Sequence, residues 1–253
     1  MDVNRRGLLA GLLLCPICAG AARAAPETHA HPHWLYEGPE GPEEWGKLDP
    51  GFQACGAGSE QSPIDLVGAV KSDLAPLRID WTPQANEVVN NGHTIQANVK
   101  DGGGLTLADA RFGLSQFHFH TPSEHALDGK RTQMEAHFVH ADGKGHLAVV
   151  GVLMTPGAAH AGFAQLMAVA PRHEGSGTLT SPVDPNSFLP SDRRRFRYEG
   201  SLTTPPCSET VDWNVFATPI EVAQSDIEAF KTIFPMNARP LQRTGRRFVL
   251  ESS

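Results

Sequence analysis

The run Leu114-Ser115-Gln116-Phe117-His118-Phe119-His120 alternates polar and aromatic side chains. On a strand, a period of two sends Gln116, His118 and His120 to one face and Phe117 and Phe119 to the other. A helix cannot do this, because positions i and i+2 do not share a helical face. The run Glu135-Ala136-His137-Phe138-Val139 repeats the pattern, setting Glu135, His137 and Val139 against Ala136 and Phe138. Both runs call for a sheet with an apolar back and a polar front that carries its own cover.

The rest of the chain fits that demand. Short apolar or alternating runs recur at 87–89, 94–99, 105–107, 135–140 and 147–154. Asn91-Gly92, 101–104, Asp128-Gly129 and Asp142-Gly143 separate them with residues that accept tight turns. Gly102-Gly103-Gly104 reads as a hairpin turn, because no helix start follows it as a phosphate cradle would need. Only 159–170, before Pro171, and 225–234, before Pro235, read as helices. Ser225 is placed to cap the second, with Glu228 closing a capping box. With 253 residues, 40% of them hydrophobic, one sizeable core is affordable. The fold class is a single, mainly β domain with peripheral helices (α+β).

The first residues read as an export signal. Arg5 and Arg6 precede an apolar stretch from Leu8 to Leu14, and Ala22-Arg23-Ala24 offers a small-x-small cleavage pattern. The stretch is too short to span a bilayer, so no stable membrane anchor is expected. The paired arginines also suit a twin-arginine route. Residues 1–24 are therefore assigned to a signal peptide and 25–253 to the mature domain, in the periplasm or outside the cell. Three of the 21 basic and one of the 28 acidic residues fall in the signal, leaving a formal charge of −9. That balance disfavours nucleic acid as a partner. Arg193-Arg194-Arg195 reads as a solvated edge. Cys15 and Cys18 leave with the signal, so Cys55 and Cys207 remain, as one pair or as two free thiols.

Spacing gives the histidines their meaning. Imidazoles at i and i+2 on one strand face stand about 6–7 Å apart at Cα, close enough to share a cation about 2 Å from each nitrogen. A neighbouring strand can bring His137 as a third. Gln116 and Glu135 stand beside these rings, where a side-chain acceptor fixes the imidazole tautomer. Three neutral nitrogens with no thiolate leave a zinc ion its charge and an open position, the pattern of a catalytic rather than a structural site. Such an ion lowers the pKa of a bound water so that hydroxide forms near neutral pH.

At this point the sequence resembles the α-class carbonic anhydrases of the exported bacterial type. The segment 116–120, followed by Ser123-Glu124-His125, is similar to the family's signature. So are Gln61-Ser62-Pro63-Ile64-Asp65, Asn90-Asn91-Gly92-His93, Ser201-Leu202-Thr203-Thr204-Pro205-Pro206, residues 211–213 and Asn237-Ala238-Arg239-Pro240. These landmarks run in family order from about Trp34 to Gln242. The resemblance implies a central, largely antiparallel ten-stranded sheet with zinc held by His118, His120 and His137 in a funnel. It implies reversible hydration of carbon dioxide to bicarbonate and a proton by a zinc-bound hydroxide, with small-molecule substrates; the sequence leaves the oligomeric state open, a homodimer included. It also implies a Cys55–Cys207 disulfide that braces the loop of Thr203.

By the same resemblance, Thr203 is the gatekeeper and Glu124 the acceptor of its proton. A hydroxyl that donates its one proton to Glu124 can only accept on its other side, which orients a donor there. His93 matches the proton shuttle. Loss of a proton from a near-neutral water to bulk is limited to about 10³ s⁻¹, and a histidine relays it faster. Val139, Leu147, Val149, Leu202 and Trp213 match the apolar wall for carbon dioxide, a substrate with no charge to grip. Thr204 matches a hydroxyl near bicarbonate, and Tyr36 and Asn91 match groups that order water. His29, His31 and His33 lie outside the matched core and read as a solvated terminus. A catalytically silent binding module is the alternative, but its cue, a lost ligand, is missing. A zinc hydrolase of the His-Glu-x-x-His type lacks its motif here.

Overall fold

The computed structural model describes residues 32–252. The signal segment, His29 and His31 lie outside the described residues.

Ten strands succeed one another across one sheet. In chain order they begin with β1 (Val70–Ser72), β2 (Ala85–Asn90), β3 (Ile95–Val99), β4 (Ala110–His120) and β5 (Met134–Ala141). They continue with β6 (Leu147–Pro156), β7 (Gly175–Val183), β8 (Arg195–Gly200), β9 (Val211–Val222) and β10 (Leu250–Ser252). The spatial order is β1-β10-β8-β9-β6-β5-β4-β3-β2-β7. Neighbours are antiparallel except β1 with β10 and β6 with β9. Two short strands, Leu77–Ile79 and Gly104–Leu107, extend the sheet beside the start of β4. The fold class and the largely antiparallel ten-strand core are as the sequence implies.

Alternation sorts the central strands into two faces. Phe117, Phe119, Ala136, Phe138, Ala148, Val150, Val152 and Met154 join one buried cluster on the back. Phe117 and Phe138 stack with centroids 5.0 Å apart, and Phe119 meets Phe163 of the helix Ala161–Val169 at 4.9 Å. Each such ring removed from water stabilises the fold by about 1.5–3 kcal/mol. Strict alternation from His120 would put Leu114 on the front. Instead a β-bulge at Ser115 shifts the register between Leu114 and Gln116, and Leu114 is buried with the phenylalanines. One extra residue thus lets a single strand change parity ahead of the site.

The triple glycine is a turn, as expected. Gly103 has φ +73°, and a Cβ on Gly103 or Gly104 would run into the backbone of Asp80 or Phe112. Both expected helices form, as Ala161–Val169 and Gln224–Lys231, and two further short ones, Trp45–Leu48 and Ala54–Ala57, lie where the sequence reading expected none. His160 caps the first, its Nδ1 accepting the Phe163 amide at 3.1 Å. Ser225 does not cap the second: the N-cap is Ala223, and Ser225 lies inside the first turn. The Glu228 carboxylate is taken by Gln224 Nε2 at 2.6 Å instead of closing a box. Arg195 is a further correction, being buried rather than solvated. Its guanidinium donates to Asn214 Oδ1 at 2.9 Å and to the Ala75 carbonyl at 2.7 Å. Among the described residues no helix is long and apolar enough to cross a membrane.

Candidate metal centre

The antiparallel pairing of β4 with β5 sets His118 directly opposite His137, with His120 two residues further along β4. The three rings lie 4.6–5.4 Å apart between centroids, and one nitrogen from each falls within 4.8 Å of the others. Two of the opposite nitrogens are hydrogen-bonded and the third has a carboxylate beside it. His118 Nδ1 is 2.8 Å from Gln116 Oε1, His120 Nδ1 is 2.7 Å from the Asn237 carbonyl, and His137 Nε2, which makes no hydrogen bond, lies 3.0 Å from Glu135 Oε1. An acceptor at one ring nitrogen keeps the proton there and leaves the lone pair on the other. His120 Nε2 is buried with no hydrogen-bond partner. Three inward lone pairs of this kind fit a divalent cation that favours nitrogen.

Electrostatics suit that arrangement. Burial, reinforced by the neighbouring imidazoles, holds His118 well below the usual histidine range. Burial lowers His120 as well, although Glu124 opposes it. For His137, burial is outweighed by the charges of Glu135 and Glu124, which raise it. Burial alone would also raise the Glu135 carboxyl, but His125 and His137 overcome it and hold the group well below its ordinary value.

Glu135, expected to fix an imidazole tautomer, is the hub of a fully buried network in which the sequence reading gave His125 and Tyr198 no role. Its Oε2 accepts the amides of Glu124 and His125 at 2.9 and 2.8 Å, and its Oε1 meets His125 Nδ1 at 2.8 Å. His125 Nε2 lies 2.6 Å from the Tyr198 hydroxyl, itself 3.0 Å from Ser62 Oγ. Gly151 pairs with His137 on β6, and a Cβ there would come within 2.9 Å of Glu135 Oε1. The missing side chain makes room for the carboxylate. His125 was visible only as a motif letter, and the Asn237 carbonyl has no side-chain signature at all.

The remaining candidates fall around this centre in different ways. Val149 and Trp213 share a buried cluster against which Val139, Leu147 and Leu202 pack, so the expected wall residues are brought together. Thr203 is buried on a loop held at several points. Trp213 Nε1 donates to the Ser201 carbonyl at 3.0 Å, Ser62 and Ser201 exchange amide-to-hydroxyl bonds, and the Leu202 amide meets Ser208. Cys207, whose amide donates to the Thr204 carbonyl, is disulfide-bonded to Cys55 across 152 positions. Glu124 Oε1 accepts the Arg239 amide at 2.8 Å. No hydrogen bond joins Thr203 to its Oε2. That oxygen instead lies 3.7 Å from His120 Nε2 and 3.9 Å from His137 Nδ1, drawn toward the imidazoles.

At the rim, Asn91 spends its Oδ1 on the amides of His93 and Thr94 and sets the turn carrying His93. The His93 ring stacks on Trp34 at 3.7 Å with only 7° between planes. Tyr36 packs edge-on against Trp34 and Trp45, and burial, then the Glu124 charge, pushes its phenol well above the usual range.

Comparison with known proteins agrees with this geometry. The sequence profile of the eukaryotic-type carbonic anhydrases matches residues 40–253. A carbonic anhydrase of Nostoc sp. is 43% identical over 227 residues, covering 87% of this chain and 86% of that protein. One from Neisseria gonorrhoeae is 38% identical and covers 96% of both. The solved α-carbonic anhydrase of Thermovibrio ammonificans, in complex with the inhibitor sulfanilamide, superposes with a TM-score of 0.84 at 43% identity, covering 86% of this chain and 98% of that one. With the histidine cluster on β4 and β5 and the profile spanning most of its length, the chain belongs to the α-class, eukaryotic-type carbonic anhydrase family.

Proposed function

We propose that this chain is an exported zinc enzyme that reversibly hydrates carbon dioxide to bicarbonate and a proton. The observation that carries the reading is the convergence of three imidazole nitrogens within 4.8 Å, with the far nitrogens of His118 and His120 hydrogen-bonded and that of His137 beside Glu135. His118, His120 and His137 would hold the zinc, which supplies a hydroxide nucleophile at neutral pH, an effect for which carbonic anhydrases are themselves the general example. Gln116, Glu135 and the Asn237 carbonyl keep the three rings in the tautomers that binding requires.

The other groups position substrate, water and proton. Thr203 and Glu124 are not hydrogen-bonded in the structure described; a hydroxyl brought onto the unpartnered Oε2 would leave its lone pair to orient the attacking group toward carbon dioxide. Val139, Leu147, Val149, Leu202 and Trp213 exclude water from the apolar substrate's place, and Thr204 receives bicarbonate. Tyr36 and Asn91 order solvent between the centre and His93, which carries the proton to buffer. The Cys55–Cys207 bond supports residence in the periplasm or outside the cell, where disulfides persist.

Stopped-flow hydration of carbon dioxide by the zinc-loaded mature protein tests the reading. Rapid, sulfonamide-inhibited turnover is expected. A zinc-replete protein inert toward carbon dioxide would end it.

A further inference from the structure

The Arg193-Arg194-Arg195 run has no part in the metal centre, and its three guanidiniums go to different places. Arg194 pairs with Asp192 at 2.8 Å. Arg193 and Arg195 instead line a cavity of about 360 Å³ on the back of the sheet, the face opposite the histidine cluster. Its floor is Phe216 of β9, a member of the buried back cluster, and Leu77, Ile79 and Leu189 pack on that cluster as its walls. Arg195 stands opposite Phe216 in the β8–β9 register, and the Arg193 guanidinium lies over the Phe216 ring, 5.7 Å from its centroid. The shape is held in advance. Arg195 donates from Nε to Asn214 Oδ1 and from Nη2 to the Ala75 carbonyl, and Asn186 Nδ2 donates to the Trp81 carbonyl. Both ends of the segment that carries Leu77 and Ile79 are therefore pinned.

Charge marks this cavity out. The whole chain has a formal net charge of −7, yet no residue lining the cavity is acidic. The carboxylates on the neighbouring segments are committed elsewhere, Asp192 to Arg194 and Asp212 to Arg197 at 2.6 Å. Among the described residues the Arg193 guanidinium makes no hydrogen bond or ion pair, and Arg195 Nη1 makes none either. Arg195 is nevertheless only 5% exposed. Burial, then the charge of Arg197, lowers its pKa, and Asp212 opposes both. A nearly buried cation without a facing anion is costly unless something supplies one.

We propose that this cavity is a second ligand site, taking a small carboxylate on an apolar chain, with the anion between Arg193 and Arg195 Nη1 and the chain laid on Phe216, Leu77 and Leu189. Guanidinium N–H groups match the planar oxygens of a carboxylate. A phosphate has more oxygens to satisfy and meets apolar walls where it needs donors. The chain contributes through area: each methylene taken out of water strengthens binding by about fourfold at most. The site lies on the other side of the sheet from the histidines, so its occupation and the hydration of carbon dioxide can be read apart.

Titration with hexanoate, followed by NMR at the methyl groups of Leu77, Ile79 and Leu189, tests the site. The zinc-loaded protein is first saturated with a sulfonamide, so that a carboxylate on the metal is not read as binding here. Saturable shifts at those methyls are expected, with acetate and hexan-1-ol each weaker by roughly tenfold or more. Arg193→Gln should weaken hexanoate by about fivefold, and Arg193→Glu by more, with carbon dioxide hydration parental in both. Absence of saturable shifts overturns the proposal. Hexan-1-ol binding as tightly as hexanoate overturns it too, since the cavity then takes apolar chains without reading the anion. So does an Arg193→Glu protein that binds hexanoate like the parent.

Discussion

The two faces of β4 and β5 are built from alternate residues of the same strands, yet they are held by opposite physics. The back joins Phe117, Phe119 and Phe138 by shape and area alone. On the front, buried Glu135, His137, His120 and Glu124 are held by directed polar contacts. Both faces are dry. What differs is what a substitution leaves behind: a void on the back, an unpaired charge or donor on the front. Stability and activity should therefore separate along the strand with a period of two.

The sharpest way to break that separation is His118→Ala on the front. It should lower carbon dioxide hydration on the order of 10³-fold or more while leaving near-UV circular dichroism and unfolding by urea close to the parent. Retained activity would refute the metal assignment. Phe138→Ala, one residue from His137, should do the reverse. It should cost about 3–5 kcal/mol in urea titrations while activity per folded, zinc-loaded molecule stays within a few fold.

His140 sharpens the comparison, because it is a histidine on the back. It stacks on Trp81, its Nε2 accepts the Trp81 indole at 2.8 Å, and its Nδ1 donates to the Ala148 carbonyl at 3.0 Å. Burial is the main reason its pKa falls to about 4. The unfolded chain takes up this proton below pH 6.5, whereas the folded chain resists until about pH 4. The contribution is whole above pH 6.5 and is lost as the pH drops toward 4, by about 3 kcal/mol. Unfolding free energies across that range should fall less steeply in His140→Gln, and identical slopes would count against a neutral His140. The smallest effect belongs to Glu135→Gln. Its amide leaves the His125 and His137 donors poorly matched, and zinc affinity measured by chelator competition should weaken by roughly 10–100-fold.

Legibility followed the same division. Alternation alone assigned Phe117 and Phe119 to the back and His118 and His120 to the front, because period two is a local property of the chain. The parity change at Ser115 was not legible, since a bulge depends on the partner strand. β7, with Gly175, Gly177 and Pro182, lies at the sheet edge with most of its residues exposed and has no apolar alternation to read. β8 opens on an arginine whose burial depends on Asn214 and Ala75, both distant in sequence. His125 and Tyr198 meet only because β8 and the segment after β4 are folded toward one carboxylate.

The tether on His120 has a consequence for the order of events in the life of the molecule. Asn237 supplies the carbonyl for His120, exchanges backbone and side-chain bonds with Thr121, and precedes Arg239, whose guanidinium reaches Gln61, Ser62 and Cys55. A nascent chain that has already delivered all three imidazoles still lacks the group that aims one of them. On the proposed zinc reading, a translation product that stops short of residue 237 would carry all three imidazoles without the carbonyl that aims His120, and its grip on the ion should be weak.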